Sequence, residues 1–339
     1  MQKTLFVFFI LLTGPVFGQK FMSSSDFQAL KKKTLIVVLE EPREKLASKL
    51  APEEAQQYKS DIELYNTTVK ETAQEYLSSL VTVDFKTRTE TEALIKKSDP
   101  NFAYLQFFTV GQAYMNKMGL KMIAKHKDTR QTRNLGDALT RIGFFSGFEI
   151  YFTGDGDMAN ARHQQFVFEP GVSKAVVTFG IRQLAATLSD IAQGKSLKDR
   201  DVASINESKL LASKKLLISK LDLDPSVTPD QLKSAYPFPV EIVEEERFQN
   251  AIASKEAGTA VLVVLPAMTV SEKFVFKFEG YDCESGKSYA PSIPGGAKGW
   301  SVSAQSSMIE SIKKDLNEKV PYIELINIVE IARLVGSAN

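Results

Sequence analysis

The feature that most constrains this chain is an internal similarity between two stretches separated by 157 residues. Residues 83–108 lie over residues 240–265 without a gap, and both are typical of a strand, a short polar helix and a second strand. Apolar residues recur at the positions where a buried sheet needs them. The identical pairs are Val83 with Val240, Ile95 with Ile252, Ala103 with Ala260 and Leu105 with Leu262. The chain is therefore predicted to use one α/β unit twice.

Flanking segments extend the similarity in both directions. Residues 33–39 and 215–221 are candidate first strands. Phe148–Gly154 matches Phe274–Gly280, with large apolar residues at every second position and a glycine closing each strand. The segments 173–193 and 301–319 then have near-helical apolar spacing. We expect an α/β (α+β) fold of two tandem β-α-β-α-β-β-α units, each a mixed sheet packed with helices.

One local motif accompanies this order of elements. Residues 274–287 (FVFKFEGYDCESGK) form a strand that runs into Asp282 and a Ser285-Gly286 turn. This pattern resembles the amino-terminal domain of TolB and the related fold of the curli secretion channel lipoprotein, both envelope proteins. The first unit departs from it, because residues 154–157 (GDGD) replace the turn. The second unit also departs, since the helix after its first strand is reduced to about residues 228–232. The resemblance implies partner-binding domains rather than enzymes, so no catalytic residue is carried over.

The amino terminus has the order of a removable export signal. Lys3 precedes the apolar run Leu5–Leu12, and Gly14-Pro15 breaks the run before Gly18, after which we expect Sec-type cleavage. Residue 19 is glutamine, whereas a lipoprotein needs cysteine there, so lipid attachment is not expected. An uncleaved membrane anchor is the alternative, although the run is shorter than the roughly 20 residues needed to span a bilayer. We expect a periplasmic or extracellular protein with no transmembrane segment after cleavage.

These observations predict an order of domains. Removal of the signal leaves about 320 of the 339 residues, more than one hydrophobic core usually organises. The predicted segments are a signal peptide (1–18), an amino-terminal linker (19–30), a first α/β domain (31–200), a linker (201–208) and a second α/β domain (209–339).

The first unit differs from the second in two segments. Residues 51–80 are predicted to form one long helix with an apolar stripe at spacings of three and four, which packs on the sheet or on another chain. An insertion, predicted at 111–147, replaces residues 266–273 of the second unit. Its net charge is +5, from seven basic residues and the two acidic residues Asp128 and Asp137. The seven are Lys117, Lys121, Lys125, Lys127, Arg130, Arg133 and Arg141. They are candidates for binding an envelope protein or another anionic macromolecule; the alternative is an ordinary solvated helix face.

Signals for chemistry are weak. The 42 basic and 41 acidic residues nearly cancel, and aromatic residues do not interleave with the basic segment, so nucleic acid is not an expected partner. Two histidines, His126 and His163, have no histidine or cysteine at ligand spacing, so we expect no metal and no cofactor, and we expect both histidines at the surface. The single cysteine, Cys283, excludes an internal disulfide. The loop residues that remain as candidates are Asp155, Asp157, Asp282 and Trp300.

The carboxyl-terminal segment 320–337 places polar residues at every third position among aliphatic ones, so it needs a cover, either its own domain or a partner subunit. No catalytic residues are predicted. The sequence favours an exported, non-catalytic binding or scaffold protein of the bacterial envelope, and a homo-oligomer is possible on these grounds. The alternative is a secreted or periplasmic hydrolase or transferase whose acids, such as Glu244–Glu246 or Asp155 and Asp157, converge only in the fold.

Overall fold

The computed structural model describes residues 21–48, 50–111, 143–153, 161–169, 171–268, 274–292 and 322–337. In the first half a five-stranded mixed sheet has the order β2-β1-β3-β4-β5. Its strands are β1 (Thr34–Leu39), β2 (Thr82–Thr87), β3 (Phe102–Gly111), β4 (Gly143–Phe152) and β5 (His163–Phe166). The helices of this half are α1 (Ser24–Leu30), α2 (Glu44–Ala47), α3 (Pro52–Tyr76), α4 (Arg88–Lys96) and α5 (Lys174–Ala192).

The second half contains another five-stranded sheet, of order β7-β6-β8-β9-β10. Its strands are β6 (Lys215–Ser219), β7 (Val240–Val243), β8 (Thr259–Met268), β9 (Phe274–Asp282) and β10 (Ser288–Ser292). Between the halves lie α6 (Leu197–Glu207) and a 3₁₀ helix (Ser208–Ser213). The remaining helices are α7 (Pro229–Ala235), α8 (Glu245–Ala253) and α9 (Leu325–Ser337).

The two sheets follow the same chain path, which confirms the predicted fold class. In each, the first strand pairs in parallel with the second and third, and the third and fourth pair antiparallel. β8 begins and ends 157 residues after β3, and α8 begins and ends 157 residues after α4. Each sheet also has a fifth antiparallel edge strand that the predicted order omitted, because β5 and β10 are short. Pro291 in β10 suits such an edge position, since proline cannot donate to a ladder.

The ladder registers correct one part of the sequence alignment. Phe148 pairs with Phe107, and the residue 157 positions after Phe107, Val264, pairs with Phe278. Phe148 therefore corresponds to Phe278 and not to Phe274, so the predicted match was four residues out of register. Gly280 lies inside β9 rather than at its end. The alternating apolar pattern is almost the same after a shift of four, which is why periodicity alone did not fix the register.

Each sheet has one face covered by helices of its own half. On the first sheet α3 and α5 pack over Leu35, Leu105 and Phe148. The apolar stripe predicted for the long helix is confirmed, since its side chains from Tyr58 to Ala73 at spacings of three and four are buried. On the second sheet α7 and α9 pack over a corresponding cluster that includes Leu262.

The opposite face of the second sheet joins the core of the first half. Here α8 lies against α5, and the buried cluster continues from Phe179 to Val261 and Tyr281 without interruption. The order of layers is thus α4, first sheet, α3 with α5, α8, second sheet, and α7 with α9. The two units repeat in one direction through the molecule and share a core.

The segment predicted as a linker at 201–208 is helical, because α6 runs to Glu207 and the 3₁₀ helix follows at once. Within the predicted linker 19–30, residues 24–30 form α1, whose Phe27 and Leu30 are buried. The inserted segment is shorter than predicted, since the β3–β4 ladder continues to Gly111 and Gly143. Residues 112–142 and the candidate helix 301–319 lie outside the described residues.

Candidate functional sites: the junction and the open face

The turn that the sequence singled out connects β9 to β10. Asp282 is buried, and its carboxylate accepts hydrogen bonds from the backbone N–H of Glu284 (3.1 Å) and the hydroxyl of Ser285 (2.6 Å). The ammonium of Lys214 lies 2.9 Å from the same carboxylate. Asp282 therefore builds the turn and holds a buried ion pair, so its oxygens are already engaged by the protein.

A side chain from the first unit holds this turn in place. Arg182, on α5, donates to the carbonyl oxygens of Cys283 and Glu284, both at 2.6 Å. The neighbouring Gln183 donates to the carbonyl of Gly286 at 2.8 Å. Gly286 has a positive φ of 75°, and a Cβ there would lie 2.6 Å from Nε of Arg182. The glycine of the Ser-Gly motif is thus required both by the turn and by the approach of Arg182.

The guanidinium of Arg182 also lies near two aromatic rings of different units. It is 5.3 Å from the ring centre of Tyr76 and 5.9 Å from that of Tyr281. At the rim, Lys255 pairs with Glu75 at 2.5 Å, and this hydrogen bond lowers the pKa of the Glu75 carboxyl. Cation–π contacts and partly buried ion pairs are stronger where water is excluded. Together they fix the orientation of the two units.

We call the face of the second sheet that is buried at this contact the junction face. Its apolar members are Leu217, Val243, Val261, Val263, Leu265, Tyr281 and Cys283, all buried. The buried Glu279 lies on the same face, paired with Val263. Burial raises the pKa of the Cys283 thiol to about 12. Because the thiolate is the nucleophilic form, Cys283 is chemically inert at neutral pH.

The corresponding face of the first sheet has a different composition, and we call it the open face. The cross-strand pair Tyr104–Tyr151 of the first sheet corresponds to the pair Val261–Tyr281 of the second. In the same way the pair Gln106–Glu149 corresponds to the pair Val263–Glu279. The members of the open face are Ile36, Val38, Lys86, Tyr104, Gln106, Glu149 and Tyr151. Lys86, Gln106 and Tyr151 are half-buried and the other four are buried. Among the described helices, α4 packs here through the half-buried Leu94 and Ile95.

The open face is organised by aromatic and carboxylate groups. The rings of Tyr104 and Tyr151 stack with 5.0 Å between centres and 12° between planes. Tyr151 donates its hydroxyl to Glu149 at 2.6 Å, and the Gln164 amide donates to the same carboxylate at 2.8 Å. Burial and the nearby charge of Glu149 raise the pKa of Tyr104 to about 12. At the edge, Arg88 forms a bidentate pair with the buried carboxylate of Glu40.

One histidine is buried, contrary to the prediction that both lie at the surface. His163 on β5 is 0% exposed, and its Nδ1 accepts a hydrogen bond from the backbone N–H of Met22 at 3.3 Å. Burial, with a smaller effect of the Arg200 charge, lowers its pKa to about 3. The imidazole is therefore neutral and fastens the amino-terminal segment to the first sheet. His126 lies outside the described residues.

A cavity of about 280 Å³ lies beside this segment. Its lining includes Phe21, Met22, Lys195, Ser196 and Arg200. Lys195 is paired with Asp190 at 2.9 Å. Across the described residues, no group of three histidine, cysteine, aspartate or glutamate side chains converges as metal ligands would.

Of the acidic residues proposed for the enzymatic alternative, Glu244–Glu246 lie within the described residues. Glu244 precedes α8 and pairs with Lys220 at 3.0 Å, and Glu245 accepts a hydrogen bond from the Ser219 hydroxyl at 2.6 Å. Acidic residues at a helix start interact favourably with the helix dipole, which accounts for their position. The other predicted site residues lie outside the described residues: Lys117, Lys121, Lys125, Lys127, Arg130, Arg133, Arg141, Asp155, Asp157 and Trp300.

Sequence reasoning missed Arg182, although a signal for it was present. Arg182 is the one charged residue in the mostly apolar run Ala175–Leu188. A charged residue inside an apolar helix is buried only with a partner, so its position indicated a contact beyond the unit.

Comparisons with family models, curated proteins and solved structures found no match to this chain. None of the described helices combines the length and apolar character needed to cross a bilayer.

Proposed function

We propose that the mature chain is an exported, non-catalytic binding or scaffold protein of the bacterial envelope, acting in the periplasm or outside the cell. The observation that carries this proposal is the junction, where Arg182 and a shared core hold two units as one body. A rigid frame that presents loops in a fixed relation suits a protein whose task is to bind. The pattern-level resemblance to the TolB amino-terminal domain and the curli secretion channel lipoprotein agrees with such a role.

Two ionisable groups with strongly displaced pKa values, Cys283 and His163, support binding over catalysis. Cys283 and His163 are sealed in the core, and their pKa shifts follow from burial. A catalytic acid, base or nucleophile must instead reach its substrate in a cleft. These two groups thus serve the packing of the core.

The proposed binding element is the basic segment at 112–142. It leaves β3 at Gly111 and returns to β4 at Gly143, so it follows the end of a long antiparallel ladder. The seven basic side chains named above would attract an acidic envelope protein or another anionic macromolecule. In the second unit the same position between strands holds only residues 269–273.

Export is tested by expressing the full chain in a bacterial host and sequencing the amino terminus of the protein released from the envelope. We expect the mature chain to begin at Gln19. A Phe8→Arg variant, which interrupts the apolar run, should remain uncleaved in the cytoplasm. Recovery of wild-type protein that still begins at Met1 would contradict the proposal.

Binding is tested by biolayer interferometry on immobilised polyglutamate, used as a stand-in for an acidic partner. A variant with all seven basic residues changed to glutamine should lose binding, and binding of the wild type should weaken as salt rises. The control changes seven exposed lysines elsewhere to glutamine, which alters net charge equally. These are Lys59, Lys70, Lys96, Lys97, Lys174, Lys209 and Lys233. Equal loss in both variants would show that net charge, and not the segment, binds the polymer.

A further inference from the structure

The residues that follow the expected export signal are held by the first unit. Met22 is 4% exposed, and its backbone N–H donates to Nδ1 of His163 at 3.3 Å. The Phe21 ring lies edge-on to the His163 ring with 6.0 Å between their centres, and the guanidinium of Arg200 lies 5.9 Å from the Phe21 ring centre. Phe21 itself is 41% exposed, so the chain is buried from Met22 onward.

The burial continues through α1, and we call residues 22–30 the docking segment. Phe27 and Leu30 are 1% and 0% exposed and belong to the same buried cluster as α5, on which α1 packs. Ser23 caps the helix by accepting a hydrogen bond from the backbone N–H of Asp26 at 3.0 Å. The docking segment is therefore part of the core of the first unit, and its release would expose apolar side chains to water.

The bond that we expect to be cleaved, between Gly18 and Gln19, lies close to the docking segment. Only Gln19, Lys20 and Phe21 separate this bond from Met22. Three extended residues span about 10 Å, whereas a folded chain of about 320 residues has a radius of gyration of about 20 Å. The protease that removes an export signal acts at the membrane that holds the apolar run. The folded body would therefore collide with the protease or the bilayer while the segment is docked.

We propose that docking of residues 22–30 and removal of the export signal exclude each other, so that removal comes first. The inference rests on the proposed export signal and adds an order of events to it. A membrane-bound host protease hydrolyses the bond between Gly18 and Gln19, and water supplies the hydroxyl of the new carboxyl group and a proton of the new amine. The freed amino terminus then docks against His163, and the first unit is complete only in the mature protein.

In a precursor that has already folded, cleavage depends on transient release of the docking segment. When release and return are fast, the cleavage rate follows the fraction of molecules in which the segment is released. A change that weakens only docking should speed cleavage, whereas a change that destabilises a distant part of the core should not. A longer chain between the cleaved bond and Phe21 should remove the block without disturbing any contact of the docking segment.

The test measures cleavage of the full chain, refolded in a nonionic detergent, by purified bacterial signal peptidase, with mass spectrometry as the readout. The reference substrate is a peptide of residues 1–26, which carries no folded body. We expect the folded chain to be cleaved at least about tenfold more slowly than the peptide. An insertion of about ten glycine and serine residues between Lys20 and Phe21, which spans up to about 35 Å, should restore the rate of the peptide. The control carries the same insertion after Asn339.

Two substitutions separate local release from global unfolding. Met22→Ala removes a buried side chain of the docking segment and should speed cleavage of the folded chain about fivefold or more. Leu232→Ala removes a side chain of similar size, 2% exposed, from α7 of the second unit, and should leave the slow rate unchanged. A thermal melt of each variant establishes that the chain is folded at the assay temperature.

Three results would overturn the inference. They are cleavage of the folded chain as fast as the peptide, an insertion that fails to restore cleavage, and a Leu232→Ala variant that is cleaved as fast as Met22→Ala. All three leave the export signal itself intact, because the peptide is still cleaved after Gly18. A peptide that is not cleaved after Gly18 would instead overturn the proposed export signal, and this order of events with it.

Discussion

The junction face and the open face occupy the same position in two sheets of the same topology, yet they serve different surroundings. The junction face has valines at 261 and 263 and is sealed by α5, and the open face has Tyr104 and Gln106 at the corresponding positions. Both retain a tyrosine and a glutamate on the fourth strand, Tyr151 with Glu149 and Tyr281 with Glu279. The ladder therefore fixes the frame, and a few side chains decide whether a surface joins the core.

The difference follows a rule of stacked repeats. An internal repeat buries both faces, whereas a terminal repeat needs an outer face that water tolerates. On the open face the half-buried polar side chains of Lys86 and Gln106 meet this need, whereas Glu149 is itself buried and accepts hydrogen bonds from Tyr151 and Gln164. Four tests by substitution probe the contrast, and they are arranged by the size of the expected effect.

The largest effect is expected from removing the tyrosine ring of each face. Tyr281→Ala deletes a fully buried ring packed on Phe179 and should lower the free energy of unfolding by about 4 kcal/mol. Tyr151→Ala deletes the half-buried counterpart and should cost about 1–2 kcal/mol, from the lost stacking with Tyr104 and the lost hydrogen bond to Glu149. Urea unfolding measures both. Equal costs would mean that the open face is as deeply buried in solution as the junction face.

The next effect concerns the arginine that fastens the junction. Arg182→Met keeps most of the side-chain volume but leaves the carbonyls of Cys283 and Glu284 without their donor, which should cost about 3 kcal/mol. The matched control is Arg247→Met, which breaks a half-exposed bidentate pair with Glu256 and should cost about 1 kcal/mol or less. A small loss for Arg182→Met would show that the apolar core alone orients the units.

Particular strands show how much of this contrast the sequence contains. Residues 260–265 (AVLVVL) form an unbroken apolar run, typical of a strand buried on both faces, whereas residues 103–108 (AYLQFF) include polar groups at alternate positions. The first four strands of each sheet, the long helix and the repeat were predictable because periodicity is local. The register of β9 and the identity of the helix that covers the junction face were not predictable, because they depend on contacts between residues far apart in sequence, such as Arg182 with Glu284.

A third test measures how stability depends on pH, because the edge strand β5 buries a histidine where β10 buries a tyrosine. His163 on β5 occupies the position that Tyr289 takes on β10, and its pKa is lowered from 6.5 to about 3 by burial. Below pH 6.5 the unfolded chain binds a proton that the native state refuses, so stability present above that pH is lost as the pH falls toward 3. Between pH 7 and pH 5 the loss should be about 2 kcal/mol. His163→Phe should flatten this slope while losing the acceptor for Met22, and an unchanged slope would contradict the assignment.

The smallest effect comes from adding a single methyl group at two glycines with positive φ. Gly258 has a φ of 68° with nothing near its missing Cβ, so Gly258→Ala should cost about 1 kcal/mol of backbone strain. At Gly286 the same strain is joined by a clash with Arg182, which its hydrogen bonds hold in place, so Gly286→Ala should cost about 2 kcal/mol. In an Arg182→Ala background the clash is absent, and Gly286→Ala should then cost no more than Gly258→Ala. Additive costs in this cycle would mean that Arg182 does not rest on the turn.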